Sequence, residues 1–266
     1  MFNLMIILLA VINSEINDSN NYKIAKYIIE NIDVLENCTI TELDKRCNVS
    51  NSSISRFCRD IGLRDYNELR NQVAKYQVAH EAAQRKYQYK LFDPKQPCQS
   101  YVDGIIQNLE LLKNSISNQS IENLVKDIYE YKHVAAFGYL QSECVALNLQ
   151  YDLQTNRKVI YTCMQFADQI DYIQHADSSH LIIIFSDSGT YFKRAFARTH
   201  PFKNVKNKPK IYLITSHREI DLSYVDDYIY YDSGADYASH PYPLIAICGM
   251  ICSEYSRYLL TRQEND

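Results

Sequence analysis

The hydrophobic pattern of this chain changes its period near residue 130, and that change limits the folds open to it. Up to about residue 90, apolar side chains recur at three- and four-residue steps, for example at Ile24, Tyr27 and Ile28. That spacing places them on one face of a helix. Beyond residue 130, short β-branched and aromatic runs alternate with segments long enough for a helix. These runs cover residues 133–137, 158–161, 181–185, 210–214 and 227–231.

The alternation predicts an α/β domain whose parallel sheet is covered by helices on both faces. Five strands suit a doubly wound, flavodoxin-like α/β/α sandwich with the strand order 2-1-3-4-5. A helix over residues 100–130 is predicted to lead into this sheet, and residues 241–260 are predicted to form a closing helix. The expected fold class is therefore α plus α/β, with an all-helical part followed by the five-stranded part.

The 266 residues are enough for two modest domains, each with its own core. The best linker candidate is Asp93-Pro94-Lys95-Gln96-Pro97, because proline removes a backbone donor and restricts the residue before it. We predict a helical domain over residues 1–90, a linker and leading helix over 91–130, and the α/β domain over 131–266.

Charge is distributed unevenly along the chain. The formal net charge is −4, yet residues 45–90 carry ten basic side chains against four acidic ones, a local charge of +6. A basic segment inside an acidic chain indicates a module that binds a polyanion. Hydrophobic residues make up 46% and charged residues 23%, which excludes a disordered, collagen-like or coiled-coil protein.

Cysteines and the N-terminus point to a cytoplasmic protein. The eight cysteines form no CxxC pair, so we expect buried, reduced thiols, with neither a metal site nor a cofactor. Residues 1–12 are apolar, but they lack a basic flank and a cleavage site, and they are shorter than the ~20 residues that span a bilayer. We predict that they form a buried or dimer-facing helix.

Residues 39–63 have the pattern of two short helices joined by a tight turn. Thr39 and Glu42 form a capping box, which predicts a helix starting at residue 40. Asn48 tolerates the left-handed backbone that such a turn needs, and Ser50 is a good N-cap for the second helix. Gly62 is expected to close that helix. The pattern predicts a helix-turn-helix.

The exposed face of the second helix carries small polar side chains and arginines. Arginine can bind guanine edges in the major groove, while serine reaches bases or phosphates. An ordinary helical hairpin with a solvated face is the alternative. Asp44 departs from the pattern, because a small residue usually allows close helix approach there. The predicted DNA-contacting residues are Asn51, Ser52, Ser53, Ser55, Arg56 and Arg59.

Two predicted strands, over residues 133–137 and 181–185, are followed by small polar residues. In the proposed strand order these strands are adjacent at the point where such sheets bind ligands. Serine and threonine hydroxyls and free helix N–H groups there suit a phosphate, although the same side chains could simply cap helices. The predicted ligand-binding residues are Ser142, Ser186, Ser188, Gly189 and Thr190.

The order of these parts resembles the MurR/RpiR family of bacterial transcription regulators over nearly the whole chain. The most specific segments are VSNSSISRFCRDIGLRDYNELR, residues 49–70, and FSDSGTYF, residues 185–192. The resemblance implies a C-terminal SIS (sugar isomerase) domain in which the hydroxyls of FSDSGT hold a sugar phosphate. Ser142 is similar to the family's other phosphate-contacting serine. The resemblance to the family also implies that the protein binds a double-stranded DNA operator and forms a homodimer, possibly a tetramer.

Two residues depart from the family pattern. Leu140 stands where the first loop usually has its second glycine, and Asp187 adds a negative charge beside the expected phosphate seat. These departures keep two alternatives to a sugar-phosphate sensor open. The second domain could be a ligand-free dimerisation scaffold. The chain could also be a sugar-phosphate isomerase, for which His217, Glu219 and His240 are the candidate bases.

Overall fold

The computed structural model describes residues 4–35, 37–83, 93, 95–196, 201–202, 205–234 and 241–263, apart from the side chains of residues 6, 76–83, 194, 205 and 263. The chain divides into two compact units, Met1–Gln88 and Tyr89–Asp266. Each unit has its own hydrophobic core.

The described part of the first unit is helical, as its sequence period predicts. Its core is built from side chains of every helix, including Leu8, Ile28 and Phe57, all fully buried. Leu4 and Ile7 are also buried, so the N-terminal apolar run packs into this core. The helices are α1 Leu4–Ser14, α2 Asn20–Glu30, α3 Ile32–Leu35, α4 Ile40–Cys47, α5 Asn51–Asp60 and α6 Tyr66–Ala83. Within the described residues, no helix has the length and apolar character needed to cross a bilayer.

The second unit begins with two helices and continues as alternating strands and helices. The helices are α7 Pro97–Ser115, α8 Asn118–Glu130, α9 Gln141–Gln154, α10 Phe166–His175, α11 Tyr191–Ala195 and α12 Tyr242–Gln263, with a 3-10 turn at Val205–Asn207. The strands are β1 His133–Phe137, β2 His180–Phe185, β3 Lys210–Thr215 and β4 Asp227–Tyr230.

The single helix expected over residues 100–130 is instead two helices. Ile116 adopts an extended backbone with ψ 138°, which ends α7. The Ser117 hydroxyl then accepts a hydrogen bond from the Ser120 N–H and caps α8. A serine that satisfies a free N–H favours a new helix start at this point.

The described strands form a four-stranded parallel sheet in the order β1-β2-β3-β4, so the prediction of five strands was wrong. Residues 158–161 contribute only a parallel bridge between Tyr161 and Ala135 at the outer edge of β1. The hydrogen bonds of this bridge are made by Tyr161, whose N–H donates to the Val134 carbonyl and whose carbonyl accepts from the Ala136 N–H. The predicted order 2-1-3-4-5 describes these neighbours correctly, because the sheet runs from Tyr161 through β1, β2 and β3 to β4.

Helices cover both faces of this sheet. On one face, alternate strand residues such as Ala136 and Ile183 join a core with α8, α9 and α12. On the other face, the ring of Phe137 lies 5.5 Å from that of Tyr172 on α10, in an edge-to-face arrangement. The α/β/α sandwich predicted from the alternating pattern is confirmed, and it places the loops after β1 and β2 side by side.

Candidate functional site

Local capping fixes the start of α4. The Thr39 hydroxyl accepts a hydrogen bond from the Glu42 N–H at 3.2 Å, and the Glu42 carboxylate accepts one from the Thr39 N–H at 2.7 Å. This reciprocal pair is the capping box expected from the sequence. Hydrogen bonds from the backbone and side chain of Thr39 lower the pKa of the Glu42 carboxyl.

The turn between α4 and α5 has the conformation that the sequence predicts. Asn48 is left-handed, with φ 51° and ψ 50°, and the Val49 N–H donates to the Asp44 carbonyl at 3.0 Å. The Ser50 hydroxyl accepts a hydrogen bond from the Ser53 N–H at 3.2 Å, so α5 begins at Asn51. The two helices are therefore joined by a turn of defined geometry.

The far end of α5 closes in a Schellman motif. The Leu63 N–H donates to the Cys58 carbonyl at 2.7 Å, and the Gly62 N–H donates to the Arg59 carbonyl at 2.9 Å. Gly62 has φ 82°, a backbone that glycine adopts without strain. The inner face of α5 is apolar, and burial raises the pKa of the Cys58 thiol to about 12, so this thiol stays protonated.

The outer face of α5 presents two arginines, because Arg56 and Arg59 are both exposed. The serines beside them are partly engaged within the protein. The Ser52 hydroxyl lies 2.7 Å from that of Ser50, and the Ser53 hydroxyl accepts a hydrogen bond from Asn20 on α2 at 3.3 Å. The Ser55 hydroxyl donates to the Asn51 carbonyl one turn earlier.

Asn51 lies at the first position of α5 and faces Asp44 of α4. With its amide nitrogen turned toward Asp44, Asn51 donates to Asp44 Oδ2 and to the Ile40 carbonyl, both at 3.1 Å. Asp44 Oδ1 is buried without a hydrogen-bond partner. The acidic residue that departs from the usual helix-turn-helix pattern is thus accommodated by an amide bridge between the two helices.

In the second unit, the two serine-bearing segments leave the same edge of the sheet. β1 and β2 are hydrogen-bonded neighbours, with Phe137 paired to Ile184 near their carboxyl ends. The rings of Tyr139, after β1, and Tyr191, after the second segment, have centroids 5.0 Å apart. The structure therefore brings the two predicted loops into contact, as the strand order predicts.

The segment of residues 186–190 is a tight turn with exposed hydroxyls. Its Ser186 side chain is buried and accepts a hydrogen bond from the Tyr191 N–H at 3.3 Å. The hydroxyls of Ser188 and Thr190 lie 2.8 Å apart. Gly189 has φ 62°, and a Cβ added there would lie 2.0 Å from the Ile220 side chain, so this position requires glycine.

Asp187 is held by groups from the neighbouring strands. Its carboxylate accepts a hydrogen bond from the buried Tyr231 hydroxyl at 2.6 Å. Its carbonyl accepts hydrogen bonds from the Thr215 hydroxyl at 2.9 Å and from the Ser216 N–H at 3.0 Å. Burial, together with the Asp187 charge, raises the pKa of Tyr231, so the phenol remains a donor to the carboxylate.

The loop after β1 retains a glycine-like backbone at Leu140, which has φ 48° and ψ −107°. Residues other than glycine adopt this conformation only with strain. At Gly138, an added Cβ would lie within 2.7 Å of Ser142, so the loop folds back closely on the first turn of α9. Ser142 is buried there, with 5% of its surface exposed.

Comparison with known proteins identifies the first unit. Residues 6–80 match the helix-turn-helix domain of the rpiR family. This region is an RpiR-family helix-turn-helix domain. An uncharacterized HTH-type transcriptional regulator of Caldanaerobacter subterraneus is 48% identical over 52 residues, which cover 20% of this chain and 18% of that protein. One of Providencia stuartii is 22% identical over 172 residues, 63% of this chain and 60% of that protein. The chain thus matches less than two thirds of either relative.

Among solved structures, the Vibrio vulnificus NanR protein complexed with ManNAc-6P superposes with a TM-score of 0.50 at 17% identity. The alignment covers 98% of this chain and 97% of that one. At this identity the likeness is one of fold. It agrees with a helical unit that contains the RpiR-family domain, followed by an α/β unit.

A residue that the sequence patterns did not single out lies beside Ser142. Glu143, in the first turn of α9, is 6% exposed, and its Oε1 atom is buried without a hydrogen-bond partner. Burial raises the pKa of this carboxyl to about 7. Glu143 directly follows Ser142 at the start of α9, so it lies beside the loop after β1. An acidic residue on an apolar helix face, directly after a predicted ligand residue, is the signal that could have pointed to it.

Of the three candidate bases for an isomerase, His217 and Glu219 are exposed in the segment after β3, and His240 lies outside the described residues. The hydroxyls at the tight turn of residues 186–190, beside a second strand end, are chemically suited to holding an anion.

Proposed function

We propose that the chain is a DNA-binding transcriptional regulator of carbohydrate metabolism whose SIS-type unit senses a phosphosugar. The observation that carries this proposal is the exposed arginine face of α5, held by a capped, left-handed turn within an RpiR-family helix-turn-helix domain. The fold shared with the NanR protein complexed with ManNAc-6P supports the sensing role.

On DNA, α5 is the recognition helix. Arg56 and Arg59 can each present two N–H donors to guanine O6 and N7 in the major groove, and the nearby serines can reach bases or phosphates. Two copies of the domain in a homodimer would read half-sites about 34–36 Å apart. Asn51 contributes chiefly by holding α4 against α5, since its amide is engaged by Asp44.

In the SIS-type unit, the phosphate is bound by the segment of residues 186–190. Ser188 and Thr190 offer adjacent hydroxyls on the accessible side of the turn, and Gly189 allows that turn to pack against Ile220. Ser186 shapes the turn through its bond to the Tyr191 N–H, and Ser142 completes the site from the loop after β1. The Asp187 carboxylate is directed toward the Tyr231 hydroxyl, from which it accepts a hydrogen bond.

The phosphosugar would act on transcription by favouring one placement of the paired DNA-binding domains over another. A ligand can shift such an equilibrium only through its different affinities for the two states. The proposal therefore requires that DNA and the effector change each other's affinity by the same factor.

The DNA role is tested by selecting binding sequences from a random library with the wild-type protein and then measuring variants on them. Arg56→Ala should weaken specific binding by about 1–3 kcal/mol, the worth of a bidentate base contact, and leave non-specific binding nearly unchanged. Arg257→Ala, an exposed arginine of α12, is the control. If Arg56→Ala weakens binding to specific and non-specific DNA equally, then Arg56 contacts a phosphate and not a base.

The sensing role is tested by thermal unfolding with a panel of sugar phosphates and their unphosphorylated sugars. A bound ligand raises the unfolding temperature by mass action. The proposal is supported if only the phosphorylated sugars raise the unfolding temperature. This increase should be lost in Ser188→Ala and retained in Ser253→Ala, a variant at an exposed position of α12. No shift at millimolar concentration would favour a dimerisation scaffold. Turnover of a sugar phosphate would favour an isomerase.

A further inference from the structure

Three potential metal ligands from two packed helices converge in the second unit. They are Asp152 on α9 and Cys248 and Cys252 on α12. One ligand atom of each, a carboxylate oxygen or a thiol sulfur, lies within 4.8 Å of the other two. The two cysteines are one helical turn apart and therefore share a face of α12. α12 packs along α9 over much of its length, which brings Asp152 opposite that face.

The group reaches from the protein surface, where Asp152 lies, into the interior. Cys248 is 2% exposed, and its sulfur contacts the Val145 carbonyl at 3.8 Å, while Cys252 is half-buried. Both cysteines are free thiols. An ion arriving from the Cys252 side would meet two sulfurs and one carboxylate without passing through the core.

We propose that Asp152, Cys248 and Cys252 bind a zinc ion. Zinc takes sulfur ligands at about 2.3 Å and carboxylate oxygen at about 2.0–2.2 Å in a tetrahedral arrangement. Ligand atoms around such an ion are roughly 3.5–4 Å apart, so the observed convergence needs only small side-chain adjustments. Magnesium and calcium require oxygen ligands, and two thiolates select against them.

Coordination replaces the two thiol protons, which pass to solvent, and leaves three protein ligands with a fourth position for water. The ion would join α9 to α12 and stabilise the folded second unit. The sequence did not predict this site, because its two cysteines are spaced four apart rather than as CxxC and the third ligand lies nearly 100 residues earlier in the chain.

The test uses the full chain, freed of metal with a chelator and titrated with Zn²⁺ in competition with a chromophoric chelator. We expect one Zn²⁺ per chain. Cys252→Ser and Asp152→Asn should each weaken binding by about 100-fold or more, since loss of an outer-shell partner alone costs about 10–100-fold. Cys144→Ser and Cys98→Ser, at exposed cysteines, should leave the affinity unchanged.

A second readout reports the sulfur ligands directly. Co²⁺ substituted for Zn²⁺ should give a thiolate-to-metal charge-transfer absorption in the wild type and in both control variants. The band should weaken in Cys252→Ser, a half-buried position at which serine is tolerated. Zinc affinity that is equal in the wild type, Cys252→Ser and Asp152→Asn, or a cobalt complex without a thiolate band, would overturn the proposal.

Discussion

Leu140 holds a backbone conformation that favours glycine. In the loop after β1 this residue has φ 48° and ψ −107°, a conformation that costs residues other than glycine of order 1–3 kcal/mol. The leucine therefore places backbone strain at the position where the family pattern has glycine.

Leu140→Gly should therefore stabilise the second unit. Relief of backbone strain outweighs the roughly 0.5–1 kcal/mol of extra conformational entropy that glycine loses on folding, so the free energy of unfolding should rise by up to about 1 kcal/mol. Chemical denaturation measures this. Leu111→Gly, an exposed site within α7, should instead lose about 1 kcal/mol. Equal losses for both variants would show that Leu140 is unstrained.

Glu143 should make the stability of the second unit depend on pH. Burial raises the pKa of this carboxyl from 4.5 to about 7, so between these values the folded state binds a proton that the unfolded state does not. Its contribution to stability is complete below about pH 4.5 and is lost as the pH rises through about 7.

Glu143→Gln should remove this dependence. The variant should be more stable than the wild type at pH 8, by up to about 3 kcal/mol, and nearly equal to it at pH 4.5, as measured by chemical denaturation across that range. Glu219→Gln, at an exposed carboxylate, should leave the wild-type pH profile unchanged. A profile that is the same with and without Glu143 would show that its carboxyl is solvated.

At the scale of elements, the α4–α5 pair is held by local helix caps and by one side-chain hydrogen bond between the two helices. Caps and turn follow from neighbouring residues, whereas Asp44 lies between the helices and accepts a hydrogen bond from the Asn51 amide at one of its two carboxylate oxygens. An acidic residue between two helices is tolerated because an amide on the second helix donates to it.

A double-mutant cycle measures this compensation. Asn51→Ala removes the donor to Asp44 and should cost about 1–3 kcal/mol of stability, the penalty for an unsatisfied buried group. Asp44→Ala should cost less, because the Asn51 amide can then bind water. The double variant should be more stable than the sum of the single losses predicts, by roughly 0.5–3 kcal/mol. Strict additivity would mean that the two side chains do not interact.

At the scale of the whole molecule, each unit has a core of its own, so we expect two calorimetric transitions. Leu43→Ala in the first core should lower only one of them, and Leu149→Ala in the second should lower only the other, each by about 2–5 kcal/mol of unfolding free energy. A sugar phosphate should raise the midpoint temperature of only one transition, the one whose midpoint Leu149→Ala lowers. A single transition that moves with either substitution would show that the units unfold together.

The sequence by itself determined the features that depend on residues within about one helical turn. The Thr39 capping box, the left-handed Asn48 and the closing Gly62 are all observed where the pattern places them. The alternating runs after residue 130 likewise determined the parallel sheet and the adjacency of the two serine loops, because strand order follows from a small set of allowed connections.

The tertiary structure alone decided the features that join distant parts of the chain. Residues 158–161, expected to be a strand, form a single bridge at Tyr161. Asp187 accepts a hydrogen bond from a hydroxyl 44 residues away, and Asp152 meets Cys248 and Cys252 only where α9 packs on α12. A local pattern carries no information about which side chains packing will bring together, since those contacts form between elements rather than within them.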